Sequence, residues 1–312
     1  MNLLPMRYYL SVVKEGGISH AAERLHITQQ TLSAHIAALE KELGCPLFER
    51  RPRFRLTYAG RVFQDYARRF SELDRAMRRE FADISGEEQG ELSVGVAYTR
   101  GRFLLTPFLP AFRRAHPHIR LRLVEAPNEE LIARLLSDQV DLILAELTEE
   151  HPLIAAEPFH DEEMLLLVPD HLIPPRQRGN LLRGDLRPLA DCPFLMNRQE
   201  DIAGRIGNAL LQKHGLVPRV AVSSENMETL LDLCLLGEGA CFCPRTLAER
   251  SFEGKDLSHL LQIEPGVSFS IRAAWLKKPH IPRALSDFVR LLRGGAKKKA
   301  AHGDRTKNTL GT

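Results

Sequence analysis

The side chains best suited to specific recognition lie between Gln29 and Lys41. There Gln29, Gln30, Thr31, Ser33, Ala34, Ala37 and Lys41 share a helix face opposite an apolar stripe of Leu32, Ile36, Leu39 and Leu43. Glutamines near a helix start can pair with adenine edges, and alanines let the backbone lie close to the floor of a major groove. A second group is basic: Arg50, Arg51, Arg53 and Arg55 interleave with Phe48, Pro52 and Phe54, which would hold a short hairpin against phosphates. Base contacts are therefore expected from Gln29, Gln30, Thr31, Ser33 and Ala34, and backbone contacts from Arg50, Arg53 and Arg55. Periodicity alone fits an ordinary helical hairpin with a polar outer side equally well.

Catalytic and metal chemistry is thin. Gly237-Glu238-Gly239 lacks the third glycine and the preceding strand of a dinucleotide fingerprint, so it reads as a helix end and turn. Cys241 and Cys243 fall on one side of a strand, as buried small hydrophobes would. His116, His118, His151, His160 and His171 lack HExxH spacing, and no serine sits in a GxSxG elbow. No enzyme activity, metal or cofactor is expected.

The reading face needs a scaffold. A helix over Leu3 to Glu15 shows Met6, Tyr9, Leu10 and Val13 on one face and ends at Gly16-Gly17. Ser19 can cap a short helix through Leu25, His26 and Ile27 turn the chain, and Thr28 can cap the helix that starts at Gln29. Ala21-Ala22, Gln29, Ser33, Leu39-Glu40, Leu43-Gly44, Leu47-Phe48, Arg50, Leu56-Thr57 and Ala59-Gly60 follow an order and spacing that resembles the LysR-type transcriptional regulators of bacteria. The chain departs from that pattern at Gln30, where proline is common, and at Ile18-Ser19-His20, where a Gly-Ser-Phe-like run is usual. The resemblance implies a winged helix-turn-helix over residues 1–60, with the helix from Gln29 reading DNA and the wing around Arg50 to Thr57.

No glycine or proline interrupts the chain between Arg61 and Ser85, so a linker helix is expected over residues 61–88. Its residues Phe63, Tyr66, Phe70, Leu73, Met77, Phe81 and Ile84 are spaced as a narrow coiled-coil seam, which needs a partner helix. The resemblance implies a homodimer through this helix, with further assembly to a tetramer. A two-fold dimer sets its reading helices about 34 Å apart, or a multiple of that, so the site should be an interrupted palindrome in double-stranded promoter DNA.

The 312 residues are 44% hydrophobic and 27% charged, ordinary for a globular chain of more than one domain. The net charge of +3 announces no global basic field; positive charge instead collects between Arg50 and Arg79. Five cysteines without CxxC spacing, no signal peptide and no long apolar run give the expectation of a cytoplasmic protein with reduced thiols and no membrane contact.

Beyond Gly90 strands and helices alternate. Strands are expected at 91–97, 119–125 and 140–145 with helices at 104–115 and 128–136, then strands at 193–196, 220–222 and 240–243 with helices at 202–213 and 227–236. This rhythm argues two α/β lobes. Strand-like segments at 164–168 and 269–276 would cross between them, which, with the resemblance, implies a type 2 periplasmic-binding-protein-like sensor. The fold class is thus α+β and multi-domain, with an effector-binding domain over 89–293. Lobe I covers about 89–164 and 267–293, lobe II about 165–266, and the tail 294–312 is expected to be disordered.

Open α/β sheets bind ligands beyond the carboxyl ends of their strands, near helix N-termini that attract anions. The effector candidates are accordingly Thr99, Arg100, Asn128, Asn197, Arg198 and Phe242, although capping alone would account for Thr99 and Asn128. Two arginines point to an anionic small-molecule effector. A solute-binding protein would need a signal peptide and leaves Ile18 to Leu43 without purpose; an enzyme needs a constellation that is missing. An effector-responsive transcription factor that modulates access of RNA polymerase uses every segment.

Overall fold

The computed structural model describes residues 3–49, 54–85, 90–97 and 100–307. They form two compact units, Met1–Glu87 and Glu88–Thr312.

In the first unit α1 (Leu3–Glu15), α2 (Ile18–Arg24) and α3 (Gln29–Leu43) enclose Met6, Tyr9, Val12, Ala21, Ala22, Leu32, Ile36 and Leu39. Val12 takes the buried position expected of Val13, while Leu10 and Val13 pack partly buried beside it. α2 starts behind Gly17 rather than at a Ser19 cap; the Ser19 hydroxyl donates instead to Gln29 Oε1 at 3.2 Å. His26 takes the left-handed backbone, φ +54°, that the tight turn requires. Thr28 does cap α3, its hydroxyl accepting from Thr31 N at 3.1 Å. Gly44, at φ +73°, ends the helix. Leu43, the last helical residue, lies outside the apolar cluster and is 37% exposed, so the buried stripe stops at Leu39.

The wing is a hairpin of β1 (Phe48–Glu49) and β2 (Arg55–Leu56), with Phe48 opposite Leu56 and Glu49 opposite Arg55. Glu40 ties it to α3, accepting from Leu47 N at 2.7 Å and Phe48 N at 3.2 Å. α4 (Tyr58–Ser85) follows, its start held by the Tyr9 hydroxyl donating to Gly60 O at 2.7 Å and by Phe63 edge-on to the Tyr9 ring. Phe63 therefore belongs to the domain core rather than to the expected seam. Tyr66, Phe70, Leu73, Met77 and Phe81 remain exposed, Leu73 and Phe81 at 65%; the side chain of Ile84 lies outside the described ones.

The second unit begins with β3 (Gly90–Val96), β4 (Ile119–Glu125) and β5 (Leu142–Ala145), which pair in parallel with β3 in the centre. The helix expected at 104–115 is a π-helical turn, Gly101–Leu105, followed by α5 (Leu109–Ala115). Pro110 lacks the N–H that an uninterrupted helix would use there. α6 (Asn128–Leu136) covers β5. The long strand β6 (Ile154–Pro169) pairs antiparallel with β11 (Ser268–Leu276) up to Glu163. From Met164 it pairs with β9 (Cys241–Pro244) and β10 (Leu260–Ile263). β7 (Pro193–Met196) and β8 (Arg219–Ser223) run parallel, and a bridge from Phe194 to Ala240 attaches them to the strands around β6.

Around these strands lie α7 (Pro175–Leu182), α8 (Ile202–Lys213), α9 (Met227–Leu235), α10 (Arg245–Ser251) and α11 (Arg283–Lys307). α11 runs through the segment expected to be disordered from Gly294: Gly294-Gly295 does not stop it, and Gly295 lies against Phe108 where a Cβ would not fit. Among the described residues no helix is long and apolar enough to cross a membrane.

A Cβ at Gly60 would stand 2.2 Å from Leu47 O, backbone against backbone. Gly60→Ala should therefore destabilise the first unit by about 1–3 kcal/mol, read from urea unfolding of the full chain. An unchanged unfolding midpoint would contradict this packing.

Candidate functional site

On α3 the residues expected to read bases divide as the buried stripe dictates. Gln29, Gln30, Thr31 and Ala34 are exposed, Ser33 is half-buried, and Leu32 and Ile36 on the other side are buried. The helix presents a face of amides, hydroxyl and methyl groups whose backs are locked into a core, the arrangement a groove-reading helix requires. On the wing Arg55 is exposed and already holds Glu49 across the hairpin at 2.5 Å. Arg50 and Arg53 lie outside the described residues.

The effector candidates converge from several elements. One cleft, with about 110 Å³ of free volume, is lined by Ala97 and Arg100 after β3, Asn128 at the start of α6, Asn197 and Arg198 after β7, and Glu200, Asp201, Glu225 and Met227 at the starts of α8 and α9. Arg100, Asn128, Asn197 and Arg198 thus meet in it, while Thr99 lies outside the described residues. Phe242 is elsewhere: it is 3% exposed, parallel to the Phe194 ring and pressed against Gly207 of α8, so it is core behind the cleft wall. It lies within β9 rather than beyond the strand's end, in a strand that α8 covers.

Each cleft residue has a distinct electrostatic state. Asn128 is occupied, since its amide donates to Glu146 O at 2.8 Å and accepts from Glu146 N at 2.9 Å. Arg198 is occupied too, by Glu225 at 2.6 Å and Glu200 at 3.5 Å. Arg100 is not. Its Nη1 is buried without a hydrogen-bond partner, its guanidinium lies 5.8 Å from the centre of the Phe269 ring, and no carboxylate stands within ion-pair distance among the described residues. Burial pushes its pKa down to about 10 against the raising effect of Glu146, Glu162 and Asp201, so it remains a cation at neutral pH.

The composition of the cleft's other wall escaped the sequence. Glu200, Asp201 and Glu225 were not among the expected residues, because a polar loop before a helix carries no periodic signal. The only hint is that Asp201 stands where a helix cap belongs. Two ion pairs join the walls: Arg205 of α8 to Glu146 beyond β5, and Arg102 to Glu228 of α9 at 3.1 Å.

Residues 85–297 match the LysR substrate binding domain family, and residues 3–61 match the family of bacterial regulatory helix-turn-helix proteins, lysR family. An SDS degradation transcriptional activation protein of Pseudomonas sp. (strain ATCC 19151) is 28% identical over 299 residues, 94% of each chain. The HTH-type transcriptional regulator TfdS of Cupriavidus pinatubonensis is 31% identical over 250 residues, 80% of this chain and 84% of its own. Among solved structures, full-length CbnR complexed with its target DNA superposes with a TM-score of 0.66 at 26% identity, over 94% of this chain and 99% of that one.

Four of the five cysteines lie in the core of the second unit. Cys192, Cys234, Cys241 and Cys243 are buried, whereas Cys45 is partly exposed. Burial pushes the Cys192 thiol up to about 11; Cys234 is raised by the neighbouring Cys241 thiol and by burial. Cys241 is also raised: the neighbouring Cys234 thiol lowers it, but the Cys243 thiol and burial outweigh that. Raised thiols are poor nucleophiles and poor metal ligands, and among the described residues no group of His, Cys, Asp or Glu is placed to hold a metal ion. A disulfide-exchange reagent at neutral pH should modify Cys45 rapidly and the other four only after unfolding. A second fast thiol in the native chain would contradict this burial.

Proposed function

This chain belongs to the lysR family of bacterial regulatory helix-turn-helix proteins, and from that premise we propose how it regulates transcription. α3 enters the major groove of double-stranded promoter DNA with Gln29, Gln30, Thr31, Ser33 and Ala34 against base edges, and the wing arginines Arg50, Arg53 and Arg55 hold the phosphate backbone. The observation that carries this reading is the α3 face itself, small, neutral and exposed on one side while Leu32, Ile36 and Leu39 anchor the other. Two chains pair through the exposed apolar row of α4, which places two reading helices on one site; assembly to a tetramer extends the contact. The protein acts in the cytoplasm.

The second unit takes a small effector with an anionic group against Arg100. An effector shifts the regulator only by its different affinity for the two arrangements of the lobes, and the shifted population alters promoter occupancy and the access of RNA polymerase.

Gln29→Ala should lose about 1–3 kcal/mol on the cognate site and nothing on random DNA, measured by fluorescence anisotropy at fixed salt. Equal losses on both DNAs would remove Gln29 from base reading. Leu73 touches no core, so Leu73→Asp should leave unfolding of the chain intact and shift it to monomer in sedimentation velocity. Persistence of the dimer would move the interface off α4.

A further inference from the structure

The cleft carries a second, opposite deficit beside Arg100. Asp201, at the position before the first turn of α8, makes no capping hydrogen bond. Its carboxylate has no hydrogen-bond or ion-pair partner among the described residues. Burial raises its pKa and the neighbouring Glu225 and Glu200 add to that, against the lowering effect of Arg198 and Arg100. Beside it Asn197 is also half-used. Its amide nitrogen donates to Ser224 O at 3.1 Å, which fixes the orientation of the group and leaves Oδ1 buried without a donor.

The lining thus offers one unpaired donor group, the Arg100 guanidinium, and two unpaired acceptors, Asn197 Oδ1 and the Asp201 carboxylate. Arg100 and Asp201 face the same space without closing on each other. Summed over the lining, two guanidinium groups meet three carboxylates, and Arg198 is held by Glu225 and Glu200. A ligand bringing only negative charge would satisfy Arg100 but leave Asn197 Oδ1 buried without a donor and the half-buried Asp201 carboxylate facing it unpaired, with three carboxylates repelling it. Buried polar atoms left without partners disfavour such an occupant. An ammonium group supplies three donors and a positive charge, which is what the acceptor side lacks.

We propose that the effector is a small zwitterion, its carboxylate on Arg100 and its ammonium group between Asn197 Oδ1 and Asp201. This rests on the effector reading above and narrows its ligand class from anions to molecules of both charges.

Calorimetric titration of the full chain with the proteinogenic L-amino acids, β-alanine and 4-aminobutyrate, each paired with the carboxylic acid that lacks its amino group, tests this. At least one zwitterion should bind, about tenfold or more tighter than its desamino partner, the difference one charge-assisted hydrogen bond makes. Asp201→Asn keeps the shape of the side chain and a residue suited to a helix start; it should abolish that preference by weakening the zwitterion, while the desamino acid, relieved of one repelling carboxylate, binds at least as tightly as before. Arg100→Gln should abolish binding of both. Desamino acids that bind as tightly as, or more tightly than, their amino acids would overturn the zwitterion and leave the anion reading standing. Binding of neither set, or binding indifferent to Arg100→Gln, would overturn both.

Discussion

The second unit is governed by a strand that serves two sheets. β6 gives its first half to β11 and its second to β9 and β10, with the change at Glu163 and Met164. The return chain comes back at the same height, where Met164 N donates to Val267 O at 2.9 Å. Both lobes therefore grow from one hydrogen-bonded ribbon, and the loops after β3 and β7 come to face each other across it. The ribbon is fastened locally: Glu162, buried, accepts from Thr246 N at 2.9 Å and meets His160 at 3.1 Å, while Arg245 spans Glu163 and Glu264.

How much of this could be read from residue order follows from what each signal depends on. Thr28 and Gly44 mark α3 because caps act within a few residues, and the parallel strands of lobe I show as short apolar runs. The first half of β6 was missed, since Glu157-Pro158-Phe159-His160-Asp161-Glu162-Glu163 has loop composition. It is a strand because pairing with β11 overrides local preference. Arg198 looked like a free cation because its partner Glu225 lies in another loop, twenty-seven residues on. Phe242 looked like a strand-end ligand contact, and only the packing of Gly207 on its ring shows otherwise. Distant pairing and covering helices decide these cases, and neither has a local spacing.

The two ends of α4 show the same division between packing within the chain and packing beyond it. At its start Phe63 and Ala67 complete the core under Tyr9 and Phe48. Further along, Tyr66, Phe70, Leu73, Met77 and Phe81 join no apolar core among the described residues and stay exposed. Burying exposed apolar surface is worth roughly 25 cal/mol per Å², so large side chains at every third or fourth position favour a second helix strongly. Of the seam that periodicity predicted, Phe63 is taken by the domain core, and Tyr66 to Phe81 stay exposed.

The magnitudes at the cleft show how lightly its walls are held. The ion pairs across the walls, Arg205 with Glu146 and Arg102 with Glu228, each have an arginine about half exposed or more. Pairs of that kind contribute about 0–1 kcal/mol each, less with added salt. Hydrogen bonds to buried charged groups contribute about 1.5–3 kcal/mol each, and Arg100 Nη1 and Asn197 Oδ1 await partners in the cleft wall. A ligand that satisfied both would gain more at those two atoms than the two pairs contribute, before the cost of association is met. On the proposed reading, that difference would let occupancy of the cleft, rather than the pairs across it, set the preference between arrangements of the lobes.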